Sequence, residues 1–315
     1  MKRTVDFHQI DWNEQVADDC RQLVRLAVRE DLDRGHDWTT VALVPAEAQG
    51  RAAVVARERA VVAGLPAAEL VLAEMDRHVL WHPHVRDGEK VSAGETVAVL
   101  SGPARSLLTC ERIVLNFLTR LSGIATLTER FVAAVAGTQA RIYDTRKTTP
   151  AWRRLEKYAV RCGGGRNHRT GLFDAVLIKD NHLALGQHAS SRASGGAFSA
   201  ADAVRTTREF VRETTGSETP GTQMIVEVEV DTLDQLAEVL PAGPDIVLLD
   251  NMGLADLSAA VELRDKLARD VELEASGGVT LATVGAIART GVERISVGAL
   301  THSVAHCDLG LDWLG

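Results

Sequence analysis

The spacing of apolar positions divides the chain into three stretches. Residues 14–30 repeat apolar side chains at helical intervals, which predicts an amphipathic helix near the start. Residues 50–105 hold short β-branched runs separated by Asp-Gly, Ala-Gly and Ser-Gly pairs, which favour hairpin turns. From Leu107 onward the pattern changes to helices and then to alternating strands and helices. We therefore expect a small α+β domain followed by a larger α/β domain.

Six runs in the second half of the chain have the composition of buried strands. Helical patterns separate the later runs, so the units repeat as strand and helix. Parallel strands covered by helices on both faces are almost wholly apolar, so the pattern predicts a parallel sheet, either a barrel or a doubly wound sheet. The predicted strands are residues 141–145, 175–180, 224–230, 245–250, 271–278 and 294–300.

Polar residues and glycines mark the ends of these predicted strands. In a β/α barrel the carboxyl ends of all strands share one face, so these residues would converge on one pocket. Glycines there expose backbone N–H groups that can receive a phosphate. The pattern favours a barrel over an open sheet. The residues are Arg146, Lys147, Lys179, Glu229, Asp250, Ser276, Gly277, Gly278 and Gly298.

Positive charge is concentrated in one segment of an acidic chain. Residues 141–182 contain ten Lys or Arg and four Asp or Glu, whereas the net charge of the 315 residues is −8. A basic island of this kind suits a small polyanion better than nucleic acid, which is expected to select a basic domain. No stretch approaches the roughly 18 apolar residues of a membrane helix. We expect a cytoplasmic protein without nucleic-acid or membrane partners.

The charged side chains in and after this segment suggest two kinds of binding. Arg146, Lys147, His168, Arg169 and Lys179 supply cations for the carboxylates and phosphates of one ligand. Glu229 and Asp250 could hold Mg²⁺ or the hydroxyl groups of a ribose. The basic residues of 153–161 are expected to lie mainly on a solvated helix face. The glycines at 163–165 would let the backbone fold tightly around a ligand.

Several motifs carry a family resemblance. The segments DTRKT, GGGRNHR and IKDNH, in that order, together with EVEV, VLLDNM and ASGGV, resemble quinolinate phosphoribosyltransferase. The similarity runs from about Glu30 to the C-terminus. It implies an N-terminal α/β sandwich domain, residues 1–110, and a C-terminal β/α barrel with fewer than eight strands, residues 111–301. Residues 302–315 are a candidate to return to the first domain.

The resemblance also implies an activity and a set of site residues. The enzyme would transfer phosphoribose from phosphoribosyl pyrophosphate to quinolinate and decarboxylate the product, giving nicotinate mononucleotide, CO₂ and pyrophosphate for de novo NAD biosynthesis. Mg²⁺ would be the cofactor, and Arg112 would enter the site of the neighbouring subunit in a homodimer that can assemble further.

The implied roles divide the site by ligand. Arg146, Lys147, His168 and Arg169 would bind quinolinate, whereas Lys179, Glu229 and Asp250 would bind phosphoribosyl pyrophosphate, the two carboxylates also holding Mg²⁺, directly or indirectly. Lys147, Lys179, Glu229 and Asp250 would be catalytic. The 5′-phosphate cradle would comprise Ser276, Gly277, Gly278, Gly298 and Ala299, and the remaining predicted substrate-binding residues are Thr145 and Val297.

One connection departs from the family pattern. The chain between His182 and Met224 is longer than this connection usually is. Ser199 and Asp202 can cap a helix that runs to about Arg212. Residues 186–198 are therefore predicted to be a mobile surface loop.

Four other interpretations remain open. A paralogue could use a different ring acid. A Schiff-base aldolase could use Lys179, although an imine-forming lysine needs a desolvated site. A carrier module could be built on the hairpin region, but no lysine stands at a hairpin tip in the carrier arrangement. A type I phosphoribosyltransferase would need an acidic pair before a Thr-Gly phosphate loop, which the sequence lacks.

Overall fold

The computed structural model describes residues 6–190, 198–215 and 224–314, without the side chains of 187–190 and 215. Contacts divide the chain into two units. The barrel unit contains the chain up to His8 with residues 131–146 and 167–297, and the sheet unit contains residues 9–130, 147–166 and 298–315. None of the described helices is long and apolar enough to cross a membrane.

The sheet unit is built on a four-stranded sheet in the order β12-β1-β5-β3. Both neighbours of β1 run antiparallel to it, so the last strand of the chain lies beside the first. A two-stranded ribbon, β2 with β4, accompanies this sheet. The strands are β1 (Gln49–Ala56), β2 (Ala60–Val61), β3 (Leu80–Pro83), β4 (Lys90–Val91), β5 (Thr96–Pro103) and β12 (Leu309–Leu314).

Helices of the sheet unit include the predicted amphipathic helix, which begins after the Asn13 cap and buries Val16, Cys20 and Val24. The long helix α4 begins directly after β5. The helices are α1 (Glu14–Leu32), α2 (Trp38–Leu43), α3 (Leu65–Met75), α4 (Ala104–Ala134, up to Arg130 in this unit), α5 (Arg153–Cys162) and α11 (Ala299–His302).

The barrel unit contains six parallel strands in the order β6-β11-β10-β9-β8-β7. They are β6 (Arg141–Tyr143), β7 (Ala175–Ile178), β8 (Ile225–Val230), β9 (Ile246–Asp250), β10 (Glu272–Ser276) and β11 (Arg294–Ser296). The connecting helices are α6 (Asp180–Ser190), α7 (Ala200–Thr215), α8 (Leu233–Val239), α9 (Leu254–Leu267) and α10 (Val284–Arg289). The predicted fold class, an N-terminal sheet domain with a β/α barrel of fewer than eight strands, is confirmed.

The prediction that the barrel strands are almost wholly apolar is wrong. On β8 the apolar residues Val226, Val228 and Val230 alternate with Glu227 and Glu229. On β10 the buried Leu273 and Ala275 alternate with Glu272, Glu274 and Ser276. Successive side chains of a strand point to opposite faces, so one face of this sheet is apolar and the other carries charge. The buried Glu272 and Glu274 are paired with Arg294, and Glu272 also with Arg141.

Three local predictions need correction. The run 294–300 is a strand only to Ser296, and Ala299–His302 form a short helix. The Ser199 cap is confirmed, since its hydroxyl accepts from the Asp202 amide at 3.2 Å, but helix α7 continues to Thr215. The predicted loop 186–198 is partly wrong, because Gly186–Ser190 end helix α6; residues 191–197 lie outside the described part.

Gly163 and Gly165 serve helix packing within the sheet unit. A Cβ atom at Gly163 would lie 2.3 Å from the Ala125 carbonyl oxygen of helix α4, and one at Gly165 would lie 2.7 Å from the Thr128 side chain. The contact therefore excludes larger residues, and a ligand is not needed to explain these glycines. The predicted solvated helix face is also wrong for Lys157, which is fully buried.

Candidate active site

The ends of β7 and β8 bring the first pair of predicted site residues together. Ile178 pairs with Val228 in the parallel register, so Lys179 and Glu229 are the next residues on adjacent strands. Their side chains form an ion pair, Nζ of Lys179 with Oε2 of Glu229. The lysine side chain is 43% exposed and the glutamate 14%, which leaves the ammonium group accessible to a ligand.

The neighbouring strand ends form a glycine turn beside an acid. Asp250 pairs with Ser276 across β9 and β10, and the Asn251 amide donates to the Ser276 carbonyl at 2.9 Å. Gly277 has φ +92°, and a Cβ atom there would lie 2.1 Å from Asn251 Oδ1, so only glycine fits. Gly278 is exposed, and a Cβ atom added to it would meet no atom within 4 Å. The turn can therefore admit a ligand close to the backbone.

Two guanidinium groups lie near each other in the barrel unit. Arg169 is 8% exposed, and its Nη1 donates to the Ala175 carbonyl at 3.3 Å. Its buried Nε has no hydrogen-bond partner among the described residues. Burial lowers the pKa of Arg169, and the positive charge of Arg146 lowers it further. Two like charges and an unsatisfied donor indicate an anion-binding position.

Asp144 joins the two most basic motifs. Its Oδ1 accepts from the His168 amide at 2.8 Å, and its Oδ2 accepts from Asn167 Nδ2 at 2.7 Å. Asp144 is fully buried. The acid of DTRKT therefore holds the backbone of the NHR segment in place.

His168 lies against two buried carboxylates. Its Nε2 is 3.0 Å from Glu227 Oε2 and 3.4 Å from Glu274 Oε1. Its Nδ1 accepts from the Arg169 amide at 2.8 Å. Both ring nitrogens are thus engaged within the protein.

The buried carboxylates beside His168 change its ionisation. Burial would lower the pKa of His168, but Glu227 and Glu274 outweigh it and raise the pKa to about 9. Burial also raises the pKa of Glu227. The contacts that bring the two carboxylates to the ring therefore also shift its ionisation.

Sequence reasoning missed the charged layer that surrounds this cluster. Arg294, which is fully buried, donates to Glu274 at 3.0 Å and to Glu272 at 2.9 Å. Arg141 also donates to Glu272, at 2.7 and 2.8 Å. The signal that could have revealed this layer is the alternation of charged and apolar residues in EVEV and ELEAS.

Other predicted site residues are placed as follows. In the barrel unit, Thr145 is half-buried, and the amide of the buried Val297 donates to the Tyr143 carbonyl at 2.9 Å. In the sheet unit, the Lys147 carbonyl accepts from the Thr301 hydroxyl at 2.7 Å, and Lys147 itself is exposed. Gly298 and Ala299 begin helix α11 and are half-buried. Arg112 lies on α4 and is exposed.

The donors at the strand ends fit a magnesium ion that arrives with a phosphorylated substrate. Mg²⁺ in such sites takes one or two carboxylates together with substrate phosphate oxygens and water. Glu229 and Asp250 offer two carboxylates. Among the described residues, the group with three ligand atoms close together is His168, Glu227 and Glu274, but Arg294 already neutralises Glu274 there. Glu229 and Asp250 are the better candidates because they are partly exposed, whereas Glu227 and Glu274 are fully buried.

Comparisons with known proteins identify the family of this chain. Residues 37–122 match the family model of the quinolinate phosphoribosyl transferase N-terminal domain, and residues 124–312 match its C-terminal domain. A protein of Mycobacterium leprae named nicotinate-nucleotide pyrophosphorylase (carboxylating) is 45% identical over 299 residues, 94% of this chain and 97% of that protein. A Bacillus subtilis protein named as a probable enzyme of this kind is 39% identical over 283 residues, covering 90% and 89%.

A solved structure supports the same assignment. The nicotinate-nucleotide pyrophosphorylase of Francisella tularensis superposes with a TM-score of 0.85 at 36% identity, covering 98% of this chain and 100% of that one. The two family models together span most of the chain. The chain belongs to the quinolinate phosphoribosyltransferase family.

Proposed function

We propose that this protein transfers phosphoribose from phosphoribosyl pyrophosphate to quinolinate and decarboxylates the product, giving nicotinate mononucleotide, CO₂ and pyrophosphate. The observation that carries the proposal is the row of strand ends in the barrel unit. Lys179 and Glu229, then Asp250, and then the Ser276–Gly278 turn follow one another across β7, β8, β9 and β10. This order suits a ribose with phosphate groups at both ends.

The two guanidinium groups account for the second substrate. Quinolinate carries two carboxylates, and Arg146 and Arg169 can each bind one through charge-assisted hydrogen bonds. Carboxylate binding would satisfy the buried Nε of Arg169 and would relieve the repulsion that lowers its pKa. Lys147 is proposed to assist them, following the family pattern.

The strand-end residues would then promote transfer. As pyrophosphate leaves, positive charge develops at C1 of the ribose, and the ring nitrogen of quinolinate attacks that carbon. Glu229 and Asp250 can bind the ribose hydroxyls, and Lys179 can bind departing phosphate oxygens. Mg²⁺, when bound with the substrate near Glu229 and Asp250, would supply further charge for the leaving group. The fixed orientation of these groups lowers the reorganisation needed at the transition state.

Decarboxylation follows from the product of the first step. The ring nitrogen becomes cationic once it is bonded to ribose, and the carboxylate beside it can leave as CO₂ because the nitrogen stabilises the carbanion that remains. That carbon then takes up a proton. Arg146 and Arg169 hold the ring during this step, so no additional electron acceptor is required.

A Schiff-base aldolase is disfavoured by the surroundings of Lys179. The lysine forms an ion pair with Glu229 and is 43% exposed. An amine that attacks a carbonyl is instead activated by desolvation or by a neighbouring cation. Borohydride trapping with a keto acid should give no covalent adduct.

The experiment that tests the proposal measures both products. Purified protein is incubated with phosphoribosyl pyrophosphate and Mg²⁺, with quinolinate or with nicotinate, and pyrophosphate and CO₂ are quantified. Equal amounts of both products with quinolinate alone are expected. No product with either acid would reject quinolinate as the substrate and favour a different ring acid. Omitting Mg²⁺, which should suppress release, tests the proposed cofactor.

We also propose that the enzyme is a homodimer in which Arg112 completes the neighbouring site. The exposed position of Arg112 on helix α4 supports this. Mixing two inactive variants, Arg112→Ala and Lys179→Ala, should restore activity after subunit exchange, because one site in a mixed dimer receives both intact residues. No recovery in verified mixed dimers would contradict it. Higher assembly, a cytoplasmic location and the domain boundaries 1–110 and 111–301 stay predictions.

A further inference from the structure

Asn251 lies between the acid that ends β9 and the glycine turn, residues 276–278, that ends β10. Its backbone amide donates to the Ser276 carbonyl at 2.9 Å, one step beyond the paired Asp250 and Ser276. Its side chain turns back to the preceding residue, where Nδ2 donates to Asp250 Oδ2 at 2.8 Å. The residue itself is exposed. One asparagine therefore contacts both parts of the site proposed to bind phosphoribosyl pyrophosphate.

The contact with Asp250 leaves one carboxylate oxygen for a ligand. A carboxylate only accepts hydrogen bonds, so the nitrogen of the Asn251 side chain, and not its oxygen, must face it. This bond is made to Oδ2. Within the part of the chain that the structure describes, no other group donates to the Asp250 side chain. The acid is thus held through Oδ2 while Oδ1 stays open.

The backbone of Asn251 adopts an uncommon conformation. Its φ is +54°, in the left-handed region that residues with a β-carbon rarely occupy. Asparagine enters this region more readily than most residues because its short polar side chain can form local hydrogen bonds. Non-glycine residues in such regions occur preferentially at ligand sites, where the surrounding contacts hold them. The conformation at 251 therefore points to a role for the asparagine side chain.

The glycine turn holds the Asn251 side chain from the other side. A Cβ atom added to Gly277 would lie 2.1 Å from Oδ1 and 2.5 Å from Cγ of Asn251. The side-chain amide thus occupies the space that a side chain at position 277 would fill. Contact with the glycine backbone and the bond to Asp250 together fix the direction of the amide, as a group that orients another must be fixed.

We propose that Asn251 is a positioning residue for Asp250. It holds Oδ2 of the acid, directs Oδ1 toward the ribose hydroxyls or the metal of phosphoribosyl pyrophosphate, and is itself held by Ser276 and Gly277. The orientation of the acid is thereby tied to the turn proposed to receive the 5′-phosphate of the same substrate. This inference rests on the proposed function. It assigns Asn251 a role through Asp250 and not a contact with the substrate.

The first test is the affinity of two variants for each substrate, measured by calorimetry with Mg²⁺ present. Asn251→Gly permits the left-handed backbone and removes only the side chain. It should weaken phosphoribosyl pyrophosphate binding about tenfold, the effect of one lost hydrogen bond to a charged group. Asn251→Ala should lose the same affinity and also have a lower melting temperature, because alanine is strained at this φ. Quinolinate affinity should be unchanged in both variants.

A double variant and a matched control separate positioning from direct contact. In the Asp250→Ala background, Asn251→Gly should change the affinity less than about threefold, because the carboxylate that it orients is absent. A further tenfold loss there would show that Asn251 binds the ligand itself and would overturn the inference. Asp33→Gly changes another exposed residue with a left-handed φ, +46°, and should leave both affinities unchanged. Unchanged phosphoribosyl pyrophosphate affinity in Asn251→Gly, or equal losses for both substrates, would also overturn it.

The second test needs no substrate, so the two proposals fail in different ways. ¹H–¹⁵N spectra report the side-chain amide of Asn251, and Asn251→Gly identifies its signals. Asp250→Ala should shift these signals because it removes the acceptor, whereas Asp256→Ala, a change at another exposed acid, should not. Signals that do not respond to Asp250→Ala would reject the positioning role even if the substrates react. Wild-type protein that binds no phosphoribosyl pyrophosphate would reject the proposed function, while the spectra would still decide whether Asn251 holds Asp250.

Discussion

Two layers of the same barrel use charge in opposite ways. In the inner layer, Glu272, Glu274 and Arg294 are buried and bound to one another. Two residues further along β8 and β10 stand Glu229 and Ser276, which are partly exposed, and Lys179 beside Glu229 is 43% exposed. Buried charges are tolerated only when they are paired. The inner layer therefore specifies the barrel, whereas the outer layer keeps accessible charge for a ligand.

The largest effect should come from the outer layer. Lys179→Ala should lower kcat/KM for pyrophosphate release on the order of a thousandfold, because it removes a cation from the developing charge. Its melting temperature should stay close to that of wild type. Lys266→Ala, an exposed lysine of helix α9, is the matched control and should be fully active. Near-normal turnover in soluble Lys179→Ala would refute the site assignment.

Substitutions in the inner layer should lower the stability of the protein. Arg294→Met removes the buried arginine partner of Glu274 and leaves Glu272 with Arg141 alone, and breaking such a buried pair costs about 3–5 kcal/mol. Chemical denaturation measures the free energy of unfolding. Arg212→Ala, which removes an exposed helix residue 3.9 Å from Glu209, should have no measurable effect. Equal stability of the two variants would show that the buried ion pair contributes no more to stability than the exposed one.

Arg169 is buried, like the inner layer, but is proposed to bind a ligand, like the outer layer. Arg169→Lys keeps the charge but loses the planar donors, so quinolinate affinity should fall by about 10- to 100-fold while phosphoribosyl pyrophosphate affinity is retained. Calorimetry on folded protein provides the measurement. Arg205→Lys changes an arginine of helix α7 whose side chain is 59% exposed and serves as control. Retained quinolinate affinity in Arg169→Lys would show that the guanidinium geometry is not needed.

The smallest predicted effect is a pH dependence of the inner layer. Burial would raise the pKa of Glu274, but His168, Arg294 and Ser296 outweigh it and lower the pKa from 4.5 to about 2. A carboxylate with a lowered pKa contributes stability above 4.5, and this contribution is lost as the pH falls toward 2. The stability gap between wild type and Glu274→Gln should therefore narrow over that interval. A constant gap would contradict an ionised Glu274.

The sequence allowed much of the site to be predicted, for reasons that particular residues show. Strand-end residues such as Lys179 and Asp250 follow apolar runs, so their place in a parallel barrel follows from the pattern. Gly277 was predicted from its motif, and the Asn251 contact supplies the steric reason. Glu227 and Arg294 were missed, because a buried charge looks like a surface charge until its partner is known. The role of Gly163 and Gly165 in packing was not predicted, because a close helix contact leaves no local signal.

The sequence by itself determined the order of strands and helices, the acid and glycine at the strand ends, and the family. These depend on local spacing and on motifs, which are continuous in the chain. Tertiary structure alone decided that Glu227 and Glu274 meet His168, and that both nitrogens of that ring are engaged. The groups in this arrangement come from three segments of the chain, the His168–Arg169 pair, Glu227 and Glu274. Their pairing follows from strand register, and burial then makes each charge depend on its neighbour.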